Sequence, residues 1–177
     1  IFTASIAKEN FLGYGVSGQF TTELSSRRQL FIVSLEDPYF LDIYEKTAYD
    51  QIYDEHVWYF TVTFINNMLK PLGYHVFDCE HIDVHGGELR MYVGRRDRYP
   101  VSASVLAWLA KEIDLEKKIL ELGLNIEKSR TELLDILRQI RREGKKICGF
   151  GAASKGVVIT NYCGIGPDLI PFITDNT

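Results

Sequence analysis

Hydrophobic and polar positions change period along this chain, and the changes mark its elements. From Gln29 to Ser34 the run QLFIVS is short, β-branched and apolar at successive positions, the pattern of a strand buried on both faces of a parallel sheet. The group EDPYF, Glu36 to Phe40, follows, and its proline ends any strand. In TVTFINNMLKPLG, Val62, Ile65, Met68 and Leu69 fall at helical spacing, with Pro71 and Gly73 closing the helix. Past Gly73 the segment YHVFDCEHIDV alternates as a strand. GGELRMYVGRR reads as a second strand, paired with it across the Gly86-Gly87 turn. The predicted order is strand, long loop, helix, strand and hairpin strand.

From Ser102 to Lys145 the period is helical. Val105, Leu106, Leu109 and Ile113, then Ile126, Leu133, Leu134, Leu137 and Ile140, form apolar stripes, with a break expected near Gly123 and a stop at Gly144. The charged face of Lys111, Glu112, Glu116 and Lys117 predicts a linker lying on the surface. A second α/β unit then opens with the strand KKICGF, the turn GAASKG, a helix through VVITNYC and a further strand LIPFITD. A boundary near residue 100 divides the chain into residues 1–100 and 101–177. The predicted class is α/β: the closing half of a doubly wound sheet with an antiparallel last strand, then an incomplete Rossmann-like domain. Near the start, SIAKENFL reads as helical, so Gly13-x-Gly15-x-x-Gly18 does not follow a strand as a nucleotide-binding turn requires.

Composition narrows the function classes. With 46% hydrophobic residues in 177 the chain can bury a core, and a net charge of −4 leaves no broad positive field for nucleic acid. The cluster Arg95, Arg96 and Arg98 reads as a solvated loop. No apolar run approaches the roughly 20 residues that cross a bilayer, and IFTASIAKEN lacks the plan of a signal peptide. A cytoplasmic protein without membrane partners is expected. Cys79, Cys148 and Cys163 sit in apolar segments and read as reduced core thiols. Ile1 in place of methionine, and an end just after a strand, read as a piece of something longer.

Two motifs point to chemistry. YDQIYDEHVWYF, Tyr49 to Phe60, gathers five aromatic residues, two aspartates, a glutamate and a histidine in the loop after a buried strand, and open parallel sheets bind ligands outside the carboxyl ends of their strands. The alternative is packing, with Tyr49, Tyr53, Trp58 and Tyr59 in the core and His56 a satisfied core histidine. The second motif, Gly149-x-Gly151-x-x-Ser154-Lys155-Gly156, follows a strand and opens a helix, so that backbone N–H groups would face an anion. Asp175 completes a dinucleotide-like outline, although serine stands where a strict NAD fingerprint has its third glycine. A tight turn with no ligand is the alternative there. His81 and His85 lie two pleats apart and could meet a metal with His56, but no acidic or cysteine ligand has zinc-like spacing to them, and no metal is expected.

The segments FIVSLEDPYFLDI, EKTAYDQIYDEHVWYF, VHGGELRMYV and GFGAASKG, followed by NYCGIG and FITDN, occur in this order between about Leu30 and Thr177. Together they resemble the sugar C-methyltransferases that act on nucleotide-linked keto-deoxysugars. The resemblance implies S-adenosylmethionine as cofactor, a small zinc-bearing domain upstream, and a C-terminal Rossmann-like domain that helps hold the nucleotide sugar. It makes Tyr53, Glu55 and His56 catalytic, and points to Tyr39, His85, Gly151, Ser154, Lys155 and Asn161 for the substrate. Asp54 stands where that family often has histidine. Methylating a carbon needs a base for the proton alpha to a ketone and a donor for the oxygen that gains charge. His56 fits the base, Glu55 its orienting carboxylate and Tyr53 the donor. Two alternatives stay open: an NAD-dependent sugar-nucleotide oxidoreductase and a non-catalytic nucleotide-sugar binding module. The residues that hold the methyl donor are not identified.

Overall fold

A computed structural model of the chain describes residues 2–11, 16–24 and 29–35 as strands, and residues 39–54, 56, 58–82 and 87–176 with their side chains. The chain forms two compact units, residues 1–46 with 54–115, and residues 47–53 with 116–177.

The first unit holds β1 (Phe2–Phe11), β2 (Val16–Leu24), β3 (Gln29–Leu35), β4 (Tyr74–Ile82) and β5 (Glu88–Arg95) in one sheet of order β1-β2-β3-β5-β4. Every pairing is antiparallel. Because β5 runs opposite to both neighbours, β3 and β4 are parallel to each other with β5 between them. QLFIVS is therefore a strand as expected, but its immediate partners are antiparallel. SIAKENFL, expected to be helical, has its residues up to Phe11 in β1, where the ladder from Phe2↔Leu24 to Lys8↔Gly18 outweighs local preference, and Leu12 falls outside the described residues. Gly18 lies in β2, while Gly13 and Gly15 fall outside the described residues.

In β4 the register slips between Val76 and Asp78. The extra residue turns both Val76 and Cys79 inward, three positions apart, where strict alternation would separate them. They pack with Leu89 and Val93 of β5. Helix α2 (Val62–Leu69) covers this face with Val62 and Ile65, and α3 (Ala103–Lys111) with Val105. The expected end of α2 is found: a 3-10 turn over Lys70–Leu72 closes on Gly73 at φ 79, a left-handed conformation that glycine adopts without strain. A short helix, α1 (Phe40–Lys46), occupies part of the expected long loop.

The second unit is built on α4 (Leu115–Arg142), whose Leu134 and Leu137 meet Cys163 of α5 (Ser154–Cys163) and Leu169. The helical stretch breaks at Asp114, which has φ 59, and runs unbroken through Gly123. Strands β6 (Gly149–Phe150) and β7 (Ile173–Thr174) pair in parallel with α5 between them in sequence. They are shorter than KKICGF and LIPFITD suggested. Cys79 and Cys163 are buried free thiols, but Cys148 is exposed, a correction to the core reading: it precedes a strand of two residues that has little to cover it.

Candidate active site

A tightly bonded polar group of the first unit surrounds Glu112, the residue at the end of α3. Its Oε1 accepts the Tyr39 hydroxyl at 2.6 Å and the backbone N–H of Val62 at 2.6 Å, while Oε2 accepts the N–H of Thr63 at 2.7 Å. Thr61, the N-cap of α2, takes the N–H of Phe64 at 3.1 Å. The opening donors of α2 are thus satisfied by a remote carboxylate and a local hydroxyl. Burial first, and the bond to Glu112 second, push the Tyr39 hydroxyl well above its ordinary range. The expected solvated face of Lys111 and Glu112 is corrected at Glu112, which is 5% exposed because its oxygens accept from the start of α2 and from a tyrosine.

Beside this group lies an aspartate–histidine pair. His81, near the carboxyl end of β4, brings Nε2 to 3.1 Å from each carboxylate oxygen of Asp42 on α1, and Lys46 is 3.3 Å from Oδ1. Asp42 is buried. The His81 ring stacks on Trp108, centroids 5.7 Å apart, and Trp108 meets Tyr39 edge-on at 5.2 Å. Lys111 Nζ sits 4.3 Å from the centroid of the same indole. Gly87 approaches so closely that a Cβ there would lie 2.4 Å from Asp42 Cγ, and its φ of 123 also favours glycine. Asp42 can hold the Nε2–H tautomer of His81, which leaves Nδ1 as the proton acceptor.

The predicted catalytic loop begins with a 3-10 turn, Tyr49–Gln51, followed by half-buried Tyr53, exposed Asp54 and half-buried His56. Glu55 lies outside the described residues. The loop ends at Phe60, whose carbonyl accepts the N–H of Phe40 at 3.3 Å beside the Tyr39–Phe60 bridge. Tyr39 itself is buried, so contact with a sugar would require its bond to Glu112 to be exchanged. In the second unit, Tyr49 places its hydroxyl 3.5 Å from Cys163 Sγ and its ring 5.5 Å from that of Tyr162.

The glycine-rich turn is tied to β7. Gly151, at φ 90, donates its N–H to the Thr174 carbonyl at 2.7 Å, and Ala152 donates to Asp175 Oδ2 at 2.6 Å. These two N–H groups are thereby engaged within the chain. Ser154 and Lys155 open α5, and Asn161 is exposed near its end. His85 falls outside the described residues. Among the described residues no group of three or more His, Cys, Asp or Glu could hold a metal ion, and His81 is engaged by Asp42. Asp42 and Glu112 carried no local signal: each acts through a partner distant in sequence, Asp42 from a helix of seven residues and Glu112 from inside a charged run.

Residues 83–177, more than half of the chain, match the model of the C-methyltransferase C-terminal domain. C-methyltransferase NovU of Streptomyces niveus is 29% identical over 153 residues, which cover 84% of this chain and 36% of that protein. The chain thus spans little more than a third of the length of that curated relative. No helix among the described residues is long and apolar enough to cross a membrane.

Proposed function

We propose, because this chain belongs to the family of C-methyltransferase C-terminal domains, that it forms part of an enzyme that methylates a carbon alpha to the ketone of a nucleotide-linked deoxysugar. The observation that carries the reading is the likeness to a named C-methyltransferase across 84% of the chain. The sheet supports it: β5 reversed between parallel β3 and β4 is the ending expected of a class I methyltransferase sheet. The crossover β6, α5, β7 supports a Rossmann-like second part. S-adenosylmethionine would supply the methyl group when bound, and no residue of this chain is assigned to hold it.

In this reading His56 takes the proton from the carbon and the C–H electron pair moves toward the ketone oxygen. Tyr53 donates a hydrogen bond to that oxygen, and Glu55 orients the imidazole. Tyr39 and His85 belong to the sugar side. Lys155, Ser154 and Asn161 face the nucleotide diphosphate. With the N–H groups of Gly151 and Ala152 engaged, the Lys155 ammonium carries the larger share of anion recognition.

The partial reaction tests this reading. In deuterated water the native enzyme should exchange the alpha proton of its sugar substrate, and His56→Ala should exchange it far more slowly, with turnover lower by roughly 10²–10⁴-fold. Near-native methylation by the variant would remove His56 from the role of base. Calorimetry with S-adenosylhomocysteine and with NAD separates methyl transfer from oxidoreduction.

A further inference from the structure

At the other end of β4 from His81, roughly 20 Å away at the usual rise of a strand, the first unit has an open cavity of about 240 Å³ lined by residues of α2, α3 and the start of β4. Its walls divide by chemistry. Val76, Leu106 and Leu109 supply an apolar side. The exposed residues Lys70 and Arg96 also line it, as do Asn66 and Asn67 of α2.

Donors dominate the polar side. No lining residue carries a carboxylate, and neither Lys70 nor Arg96 has an ion-pair partner among the described residues. The nearest acid in sequence, Asp97, is taken by Arg95 at 3.2 Å. Asn66 spends its side-chain carbonyl on the N–H of Val76 at 2.8 Å, which fixes the amide and leaves its NH₂ group as donor. In a chain of net charge −4, two cations facing one concavity without a counter-charge form a local field of the opposite sign.

We infer that this cavity binds a small oxyanion carrying a short aliphatic group, with Lys70 and Arg96 on the oxyanion and the apolar wall on the aliphatic part. Arg96 can engage a phosphate or carboxylate with two parallel hydrogen bonds, and Lys70 adds a point charge. The inference is independent of the methyl-transfer reading, since the cavity lies at the opposite end of β4 from the Asp42–His81 pair.

The test titrates the full-length protein at low salt with inorganic phosphate, monobutyl phosphate and butyrate, read by calorimetry. At least one of the two alkyl-bearing probes should bind, and each methylene that monobutyl phosphate buries should improve affinity about fourfold over inorganic phosphate. Stronger binding of monobutyl phosphate marks a phosphate ligand, and stronger binding of butyrate marks a carboxylate. Lys70→Gln with Arg96→Gln should weaken binding at least tenfold while leaving the melting temperature close to native, since both side chains are exposed. Failure of all three probes to bind, or unchanged affinity in the double variant, overturns the proposal.

Discussion

Tyr39 and Glu112, 73 residues apart, are joined by a hydrogen bond of 2.6 Å in which the tyrosine hydroxyl donates to a buried carboxylate. The same carboxylate receives the first two N–H groups of α2, so one side chain ties α3, α2 and the start of α1 together. Glu112→Ala leaves two buried donors and a half-buried one without an acceptor and should destabilise the fold by roughly 2–4 kcal/mol. Tyr39→Phe, which removes one donor and keeps the ring, should cost only about 1 kcal/mol. Urea denaturation measures both, and equal costs would show that the tyrosine bond carries most of what Glu112 contributes.

Alkaline conditions should expose two buried acids in succession. Burial, with Asp78 adding to it, pushes the Cys79 thiol up to about 12, and the Tyr39 hydroxyl is raised as well. Both folded-state values are raised, so each contribution is complete below the unfolded pKa and is lost as pH climbs toward the folded one. The Cys79 window opens at about pH 8.5 and the Tyr39 window at about pH 10. Stability measured against pH should therefore begin to fall above about pH 8.5. Cys79→Ala should delay that decline, and Tyr39→Phe should lessen the part above about pH 10, to which Tyr49, pushed by burial up to about 12, also contributes. A native curve that stays level to pH 11 would contradict this.

Gly87 stands against the carboxylate it faces. A methyl group there would meet Asp42 Cγ at 2.4 Å on a backbone with φ 123, so Gly87→Ala should lose roughly 2–4 kcal/mol through combined clash and strain. Adding Asp42→Ala should recover the clash but not the strain. A thermal-denaturation double-mutant cycle that gave simple additivity would place the two groups apart in solution.

Lys155 should be the dominant anion contact of the glycine-rich turn. Lys155→Ala should weaken the binding of a nucleoside diphosphate by roughly tenfold or more, the value of one charge-assisted hydrogen bond, while the affinity for S-adenosylhomocysteine stays unchanged. Calorimetry with the two ligands decides it: equal losses for both would indicate a disturbed fold, and no loss would remove Lys155 from the site.

Where an element announces its own boundaries, the sequence was enough. The helical spacing of Val62, Ile65, Met68 and Leu69, with Pro71 and Gly73 after them, defines α2, and the alternation on either side of Gly86-Gly87 defines β4 and β5. Elements set by distant partners stayed hidden. β1 reads as helix until β2 is there to pair with it. Gly123 suggests a break, but a glycine costs only about 1 kcal/mol in a helix, and the leucines, lysines and glutamates around it carry α4 through. The actual break, Asp114, has no proline or glycine to mark it. The same holds at the site: His81 was visible only as a metal ligand, because Asp42 lies on a helix preceded by a proline and crowded with aromatic residues.

The path of the chain between its two units bears on how such proteins can exchange parts. It passes from one unit to the other at 46/47, 53/54 and 115/116. A single crossover in the gene near residue 115 would therefore give a hybrid whose helical half came without its own 3-10 turn. That half would meet a foreign residue where Tyr49 now touches Tyr162 and Cys163. Grafting the second unit between relatives requires the short segment Thr47–Tyr53 to travel with it, and recombination that ignores this interleaving should yield chimaeras that fold poorly however well each parent performs.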